Sequence, residues 1–78
     1  MSGPSRADFT DHAAERADQY DVPYEEAVDA VLEEHSSRQR NAGRANWRVR
    51  RGRLVVVYDW PVSGDSTLAL IRSIWLRG

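Results

Sequence analysis

The sequence predicts an α+β domain, an αα-hairpin packed on one face of a three-stranded antiparallel sheet in the order ααβββ. Three observations carry that prediction. Apolar residues recur at helical spacing in two segments of the first half, and from Asn46 onward the pattern changes to runs rich in Val, Ile, Trp and Tyr. The chain has 78 residues against a single-domain prior of ~150, so 1–78 is one domain with a small core.

Residues 1–7 are short and polar and are expected to form a flexible N-terminal tail. In residues 9–20 the helical stripe is Phe9, His12, Ala13, Arg16, Ala17 and Tyr20. In residues 24–35 it is Tyr24, Ala27, Val28, Val31, Leu32 and His35. Pro23 suits the first turn of the second helix, and Glu25 and Glu26 complement the positive end of its dipole. Asp21-Val22-Pro23 separates the two helices, because the residue before a proline is pushed out of the α region. So short a link favours an αα-hairpin.

Residues 36–45 carry Arg38, Arg40, Asn41, Gly43 and Arg44 with almost no apolar side chain, and are expected to form a basic loop. Two β-type runs follow, Asn46 to Arg51 and Arg53 to Trp60. A turn at Arg51-Gly52 would set Arg50 opposite Arg53, Val49 opposite Leu54, Arg48 opposite Val55 and Trp47 opposite Val56. One face then collects Trp47, Val49, Leu54, Val56, Tyr58 and Trp60, a core face for the helices. The other collects Arg48, Arg50, Arg53, Val55, Val57 and Asp59. Beyond the loop Pro61 to Ser66, the run Thr67 to Leu76 is apolar on both sides, and placing Ile71, Ser73 and Trp75 inward puts Arg72 with the other sheet arginines.

Charge is divided along the chain. Residues 1–37 hold ten acids and two arginines, residues 38–78 nine arginines and two aspartates, while the net charge is only −1. All eleven cations are arginine, whose guanidinium forks suit bidentate phosphate contact. The absence of cysteine removes disulfides and Cys-based zinc or nucleophile chemistry, and is compatible with a cytoplasmic location. No apolar run reaches the length of a membrane span, and no secretory leader is evident, so the expected setting is soluble, with no membrane partner. There is no glycine-rich phosphate loop, His-Glu-x-x-His motif or nucleophile elbow, and neither a metal nor another cofactor is expected.

Candidate chemistry rests on two groups of residues. His12 and Arg16 form a helical i, i+4 pair, which reads either as a surface histidine beside an arginine paired to a carboxylate, or as a proton carrier beside a phosphate ligand. His35 reads more simply, as a histidine capping the C-terminal carbonyls of its helix. The second group is Arg38, Arg40, Arg44, Arg48, Arg50, Arg51 and Arg53, seven arginines within 16 residues, with Trp47 among them. Such a run is either a solvated face or a surface for phosphates and stacked bases.

Phe9-Thr10-Asp11-His12-Ala13 followed by Arg16, then Val22-Pro23-Tyr24-Glu25-Glu26-Ala27, then Gly52-Arg53-Leu54-Val55-Val56-Val57-Tyr58, resembles small domains related to BrnT-type and RelE-type toxins. The resemblance covers roughly residues 8–77 and implies a RelE/BrnT-like fold and a metal-free endoribonuclease of a toxin-antitoxin system. It makes His12 and Arg72 functional candidates. Three features depart from the pattern: Tyr20-Asp21-Val22-Pro23 replaces an Arg-Gly-Ile/Val-Ser entry, lysine is absent, and no helix follows Leu76.

The leading expectation is therefore a toxin-like RNA-binding domain in which Arg48, Arg50 and Arg72 stabilise phosphoryl charge and His12 moves protons. Arg16, Arg40, Arg44, Trp47 and Arg53 would hold RNA or its phosphates. The expected partners are RNA and an antitoxin-like protein. The rival expectation is a non-catalytic protein-interaction module, phage- or mobile-element-derived, acting through its acidic helices or through Trp60, Trp75 and the last strand. A homodimer joined through the last strand is a third.

Overall fold

The computed structural model describes residues 3–43 and 45–77. Its elements are β1 (Arg6–Phe9), α1 (Asp11–Gln19), α2 (Tyr24–Glu34), a 3-10 turn (His35–Ser37), β2 (Gln39–Arg40), β3 (Trp47–Arg51), β4 (Leu54–Asp59) and β5 (Leu68–Leu76). The α+β class stands, but the sheet has five strands in the order β1-β5-β4-β3-β2. It is mixed, because β1 lies parallel to β5 while the other pairs are antiparallel. Among the described residues no helix is long and apolar enough to cross a membrane.

The two additional strands lie at the sheet edges. Arg6–Phe9 alternates polar and apolar residues, and Ala7 and Phe9 pack against the core opposite Ala69 and Ile71. Strand β1 thus takes in Arg6 and Ala7, part of the expected tail, and Phe9, placed in the first helix by its spacing. Gln39–Arg40, inside the expected basic loop, pairs with Trp47 and Arg48.

Helix α1 starts behind Thr10, whose hydroxyl accepts the Ala13 N–H at 3.1 Å. It ends before Asp21, which takes a left-handed φ of 57°, an angle that short polar side chains tolerate. Pro23 stands just outside α2 in extended conformation, rather than in its first turn, and Glu25 and Glu26 follow as expected. Ala13, Ala17, Ala27, Ala30 and Val31 are fully buried against one face of the sheet. That face contributes Val49, Leu54, Val56, Tyr58, Ala69, Ile71 and Ile74. Small side chains on both helices bring them close to the large ones of the sheet. Burying each of Val31, Val56, Ile71 and Ile74 contributes about 1.5–3 kcal/mol relative to exposure.

The β3–β4 register differs from the expected one by two residues. Arg51 faces Leu54, Val49 faces Val56 and Trp47 faces Tyr58, so the two-residue turn is Gly52-Arg53. Gly52, with φ of 61°, fits this first turn position because a left-handed conformation there costs glycine nothing. The relative offset changes by two residues, so each face keeps its side chains.

Strand β5 changes phase part-way. Val57 faces Ser73, but Tyr58 faces Ile71, leaving Arg72 as the extra residue of a β-bulge. Ala69 and Ile71 therefore point to the helices before the bulge, and Ile74 and Leu76 after it. Ile71 is inward as expected. Ser73 and Trp75 are not, since they share the opposite face with Val57 and Val55.

Candidate nucleic-acid interface

The face turned away from the helices is built in cross-strand rows. One row runs Arg50, Val55, Trp75, and the next Gln39, Arg48, Val57, Ser73. Beyond the bulge lies the row Asp59, Leu70, Asp8. Val55 and Val57 are buried although no helix covers them, flanked by long arginine stems and the indole of Trp75. A groove of about 500 Å³ runs here, lined by Gln39, Arg48, Arg50, Val55, Trp75 and Arg77 among others. Arg48 donates to Gln39 Oε1 at 2.9 Å. Among the described residues Arg50 has no ion pair or side-chain hydrogen bond, and the Trp75 indole N–H has no acceptor.

A second hollow of about 550 Å³ adjoins Val57 and Ser73, walled by Thr10 and His12 on one side and by Asn41 and Ala45 on the other. Arg72 also lines it. The bulge is fastened from the helix side: the Thr10 hydroxyl donates to Arg72 O at 3.4 Å, and Arg16 Nε to Ile74 O at 3.4 Å. Arg72 Nη1 lies 3.5 Å from Asp59 Oδ2, while Asp59 Oδ1 accepts the Asn46 N–H at 2.9 Å. At 3.5 Å the Arg72 ion pair is loose enough for the guanidinium to take another anion.

Arginine and tryptophan also meet on the covered face, where they serve packing. The Arg38 guanidinium lies 4.3 Å from the Trp47 ring and 5.4 Å from that of Trp60, and Arg40 lies 5.3 Å from Trp47. Trp47 donates its indole N–H to Trp60 O at 3.1 Å, and Trp60 donates to Ser66 O at 2.8 Å. His35, only 5% exposed, sits edge-on to Trp60 and shares a 2.7 Å hydrogen bond between Nδ1 and the Tyr58 hydroxyl. That side-chain bond replaces the expected cap: the His35 ring engages Tyr58, and it is His35 O that accepts from Arg38, at 3.1 Å. Burial, and then the charge of Arg38, hold His35 below its ordinary pKa. Burial pushes the Tyr58 phenol well up.

The structure divides the residues expected from the sequence to act together. Arg48 and Arg50 share the open face. His12 and Arg72 share the neighbouring hollow. Trp47 and Arg40 lie on the covered side, where the Trp47 ring meets both the Arg40 and the Arg38 guanidinium groups. Arg16 is occupied by Ile74 O and the Tyr20 hydroxyl, the latter at 3.1 Å. Arg53 is in the β3–β4 turn, its Nε donating to Arg77 O at 2.8 Å. Arg44 lies outside the described residues. Two open-face residues, Trp75 and Arg77, escape the sequence-based nucleic-acid set. A bulge inside an apolar strand leaves no mark in its alternation, so Trp75 read as an inward residue.

Comparison of the chain with family models, with curated proteins and with solved structures gave no match.

Proposed function

We propose that this protein binds single-stranded RNA across the open face of β3, β4 and β5. The observation that carries the proposal is Trp75, partly exposed, with no acceptor for its N–H among the described residues, and set in one row with Arg50 and the buried Val55. An indole flanked by guanidinium groups offers a base a stacking surface and its phosphates a counter-charge. Arg48, Arg50 and Arg77 are the strand contacts, all lining one groove. Fluorescence anisotropy with a labelled RNA decamer tests it. Three phosphate contacts predict a log–log salt slope of about −2, and Arg50→Ala flattens it by about 0.7. Trp75→Ala costs about 1–3 kcal/mol of affinity if one base stacks there. Binding that ignores salt and Arg50 would favour the rival reading, a protein-interaction surface.

A second reading, metal-free RNA cleavage by a toxin-like domain, is favoured by His12 and Arg72 lining the same hollow. There the 2′-hydroxyl of a bound nucleotide would attack its adjacent 3′-phosphorus and expel the 5′-oxygen of the next nucleotide, leaving a 2′,3′-cyclic phosphate, with Arg72 and Arg48 stabilising phosphoryl charge and His12 carrying the proton of the 2′-hydroxyl to the leaving 5′-oxygen. Incubation of folded protein with RNA in EDTA tests it. Cutting should fall at least about 100-fold in Arg72→Ala, and RNA left intact by wild type would remove the catalytic reading.

A further inference from the structure

We infer that the hollow lined by Thr10 and His12, by Asn41 and Ala45, and by Val57, Arg72 and Ser73 is a subsite for the terminal phosphate of the RNA strand, a deepening that rests on the RNA-binding reading above. Among the described residues the basic track stops here. Along β5 the row of Trp75 and Arg50 is followed by the row of Ser73 and Arg48, about 7 Å further on at two residues of strand rise. Then comes Arg72, and beyond it the row of Asp59, Leu70 and Asp8, with two carboxylates and no cation. A phosphodiester chain running on from Arg72 would cross that acidic row; a chain that ends at Arg72 avoids it.

The hollow also holds the donors that a chain end needs. A phosphate monoester has more charge than a diester and three acceptor oxygens. Of the polar groups lining the hollow, Thr10 already bonds Ala13 N and Arg72 O, and Asn41 Nδ2 donates to Ala45 O at 3.2 Å. Among the described residues that leaves the Ser73 hydroxyl and the His12 imidazole without a hydrogen-bond partner, beside the Arg72 guanidinium with its 3.5 Å contact to Asp59. Ala45 and Val57 supply an apolar wall for the sugar. Asp59 does not line the hollow, and both its oxygens are turned to partners, Asn46 N and Arg72.

The test uses internally labelled decamers of one sequence ending in a 5′-phosphate, a 3′-phosphate, or hydroxyls at both ends. One phosphorylated end should bind about tenfold tighter than the hydroxyl-ended strand, and which end it is gives the polarity of the bound chain. That margin should vanish in Arg72→Gln and shrink in Ser73→Ala, with folding of both variants checked by circular dichroism. The hydroxyl-ended strand should lose affinity for Trp75→Ala. Equal affinity for all three ends, or a preference that survives Arg72→Gln, overturns the subsite. If the hydroxyl-ended strand does not bind at all, the strand reading fails separately, and nucleoside 5′- and 3′-monophosphates decide the subsite. A saturable NMR shift of the His12 ring, lost in Arg72→Gln, sustains it; no shift overturns it.

Discussion

On the covered face, Trp47 and Trp60 have both given their indole N–H groups to backbone carbonyls, and Arg38 lies over both rings. On the open face, Trp75 and Arg50 have no such commitments among the described residues. The same two residue types thus build a core on one side and leave a surface on the other. Composition cannot separate these roles, because both groups are rich in arginine and tryptophan. What separates them is which donors are already engaged, and that depends on strand phase and on what packs above each face.

The sharpest way to break this contrast uses two adjacent residues. Ile74→Ala, on the covered face, should cost about 2–5 kcal/mol in chemical denaturation. Trp75→Ala should cost about 1 kcal/mol of stability and, on the proposed RNA-binding reading, about 1–3 kcal/mol of RNA affinity. Equal stability losses would mean the faces are not distinct. Next in size is Tyr58→Phe, which deprives the buried His35 ring of its hydroxyl partner and should cost about 1–3 kcal/mol by the same measurement.

Near neutral pH, acid should act on the covered face through His35. His35 has a folded-state pKa below its unfolded value, so the unfolded chain takes up the proton first. Its contribution is therefore complete above the unfolded value of about 6.5 and is lost as pH falls below it, by at most about 1.4 kcal/mol per pH unit. Denaturation between pH 7 and pH 5 should show a shallower pH dependence in His35→Gln, and parallel profiles would contradict the assignment. The smallest effect is expected at the rim. Arg51 and Glu33 pair at 2.7 Å with both side chains largely in water, so Arg51→Ala should cost less than about 1 kcal/mol, and less still in high salt.

The helices and β3 were legible in the sequence because each buries one face, and burial imposes a period, whereas β4 and β5 were legible as runs of Val, Ile, Leu, Tyr and Trp. Val22-Pro23 and the acidic entry to α2 marked a real boundary for local reasons, the pre-proline backbone restriction and the helix dipole. Strands β1 and β2 were not legible. Arg6–Phe9 is four residues long, and Phe9 fits a helical stripe as well as a strand alternation; Gln39–Arg40 has no apolar residue at all. The β3–β4 faces were readable and their register was not, since sliding the pair by two residues moves the turn from Arg51-Gly52 to Gly52-Arg53 without changing any residue's side. For the candidate site, Arg48 and Arg50 could be placed by alternation. Their separation from Trp47 was implicit in that alternation, but arginine and tryptophan together suggested one surface. That Trp75 joins them depends on a bulge that sequence pattern does not announce.

The bulge at Arg72 also holds the two faces in place by pairing rather than by composition. If Arg72 were paired with Val57 as an ordinary strand residue, with Ile71 held beside Tyr58, the residues after it would turn over, sending Ser73 and Trp75 into the helices and Ile74 out to the open face. No side chain would have changed its chemistry, yet core and surface would have traded places in half the strand. Deleting Arg72 instead would leave Ser73 opposite Val57 and Ile74 opposite Val56, so the phase after the bulge survives that deletion but not a regular pairing of all the residues from Ile71 to Ile74.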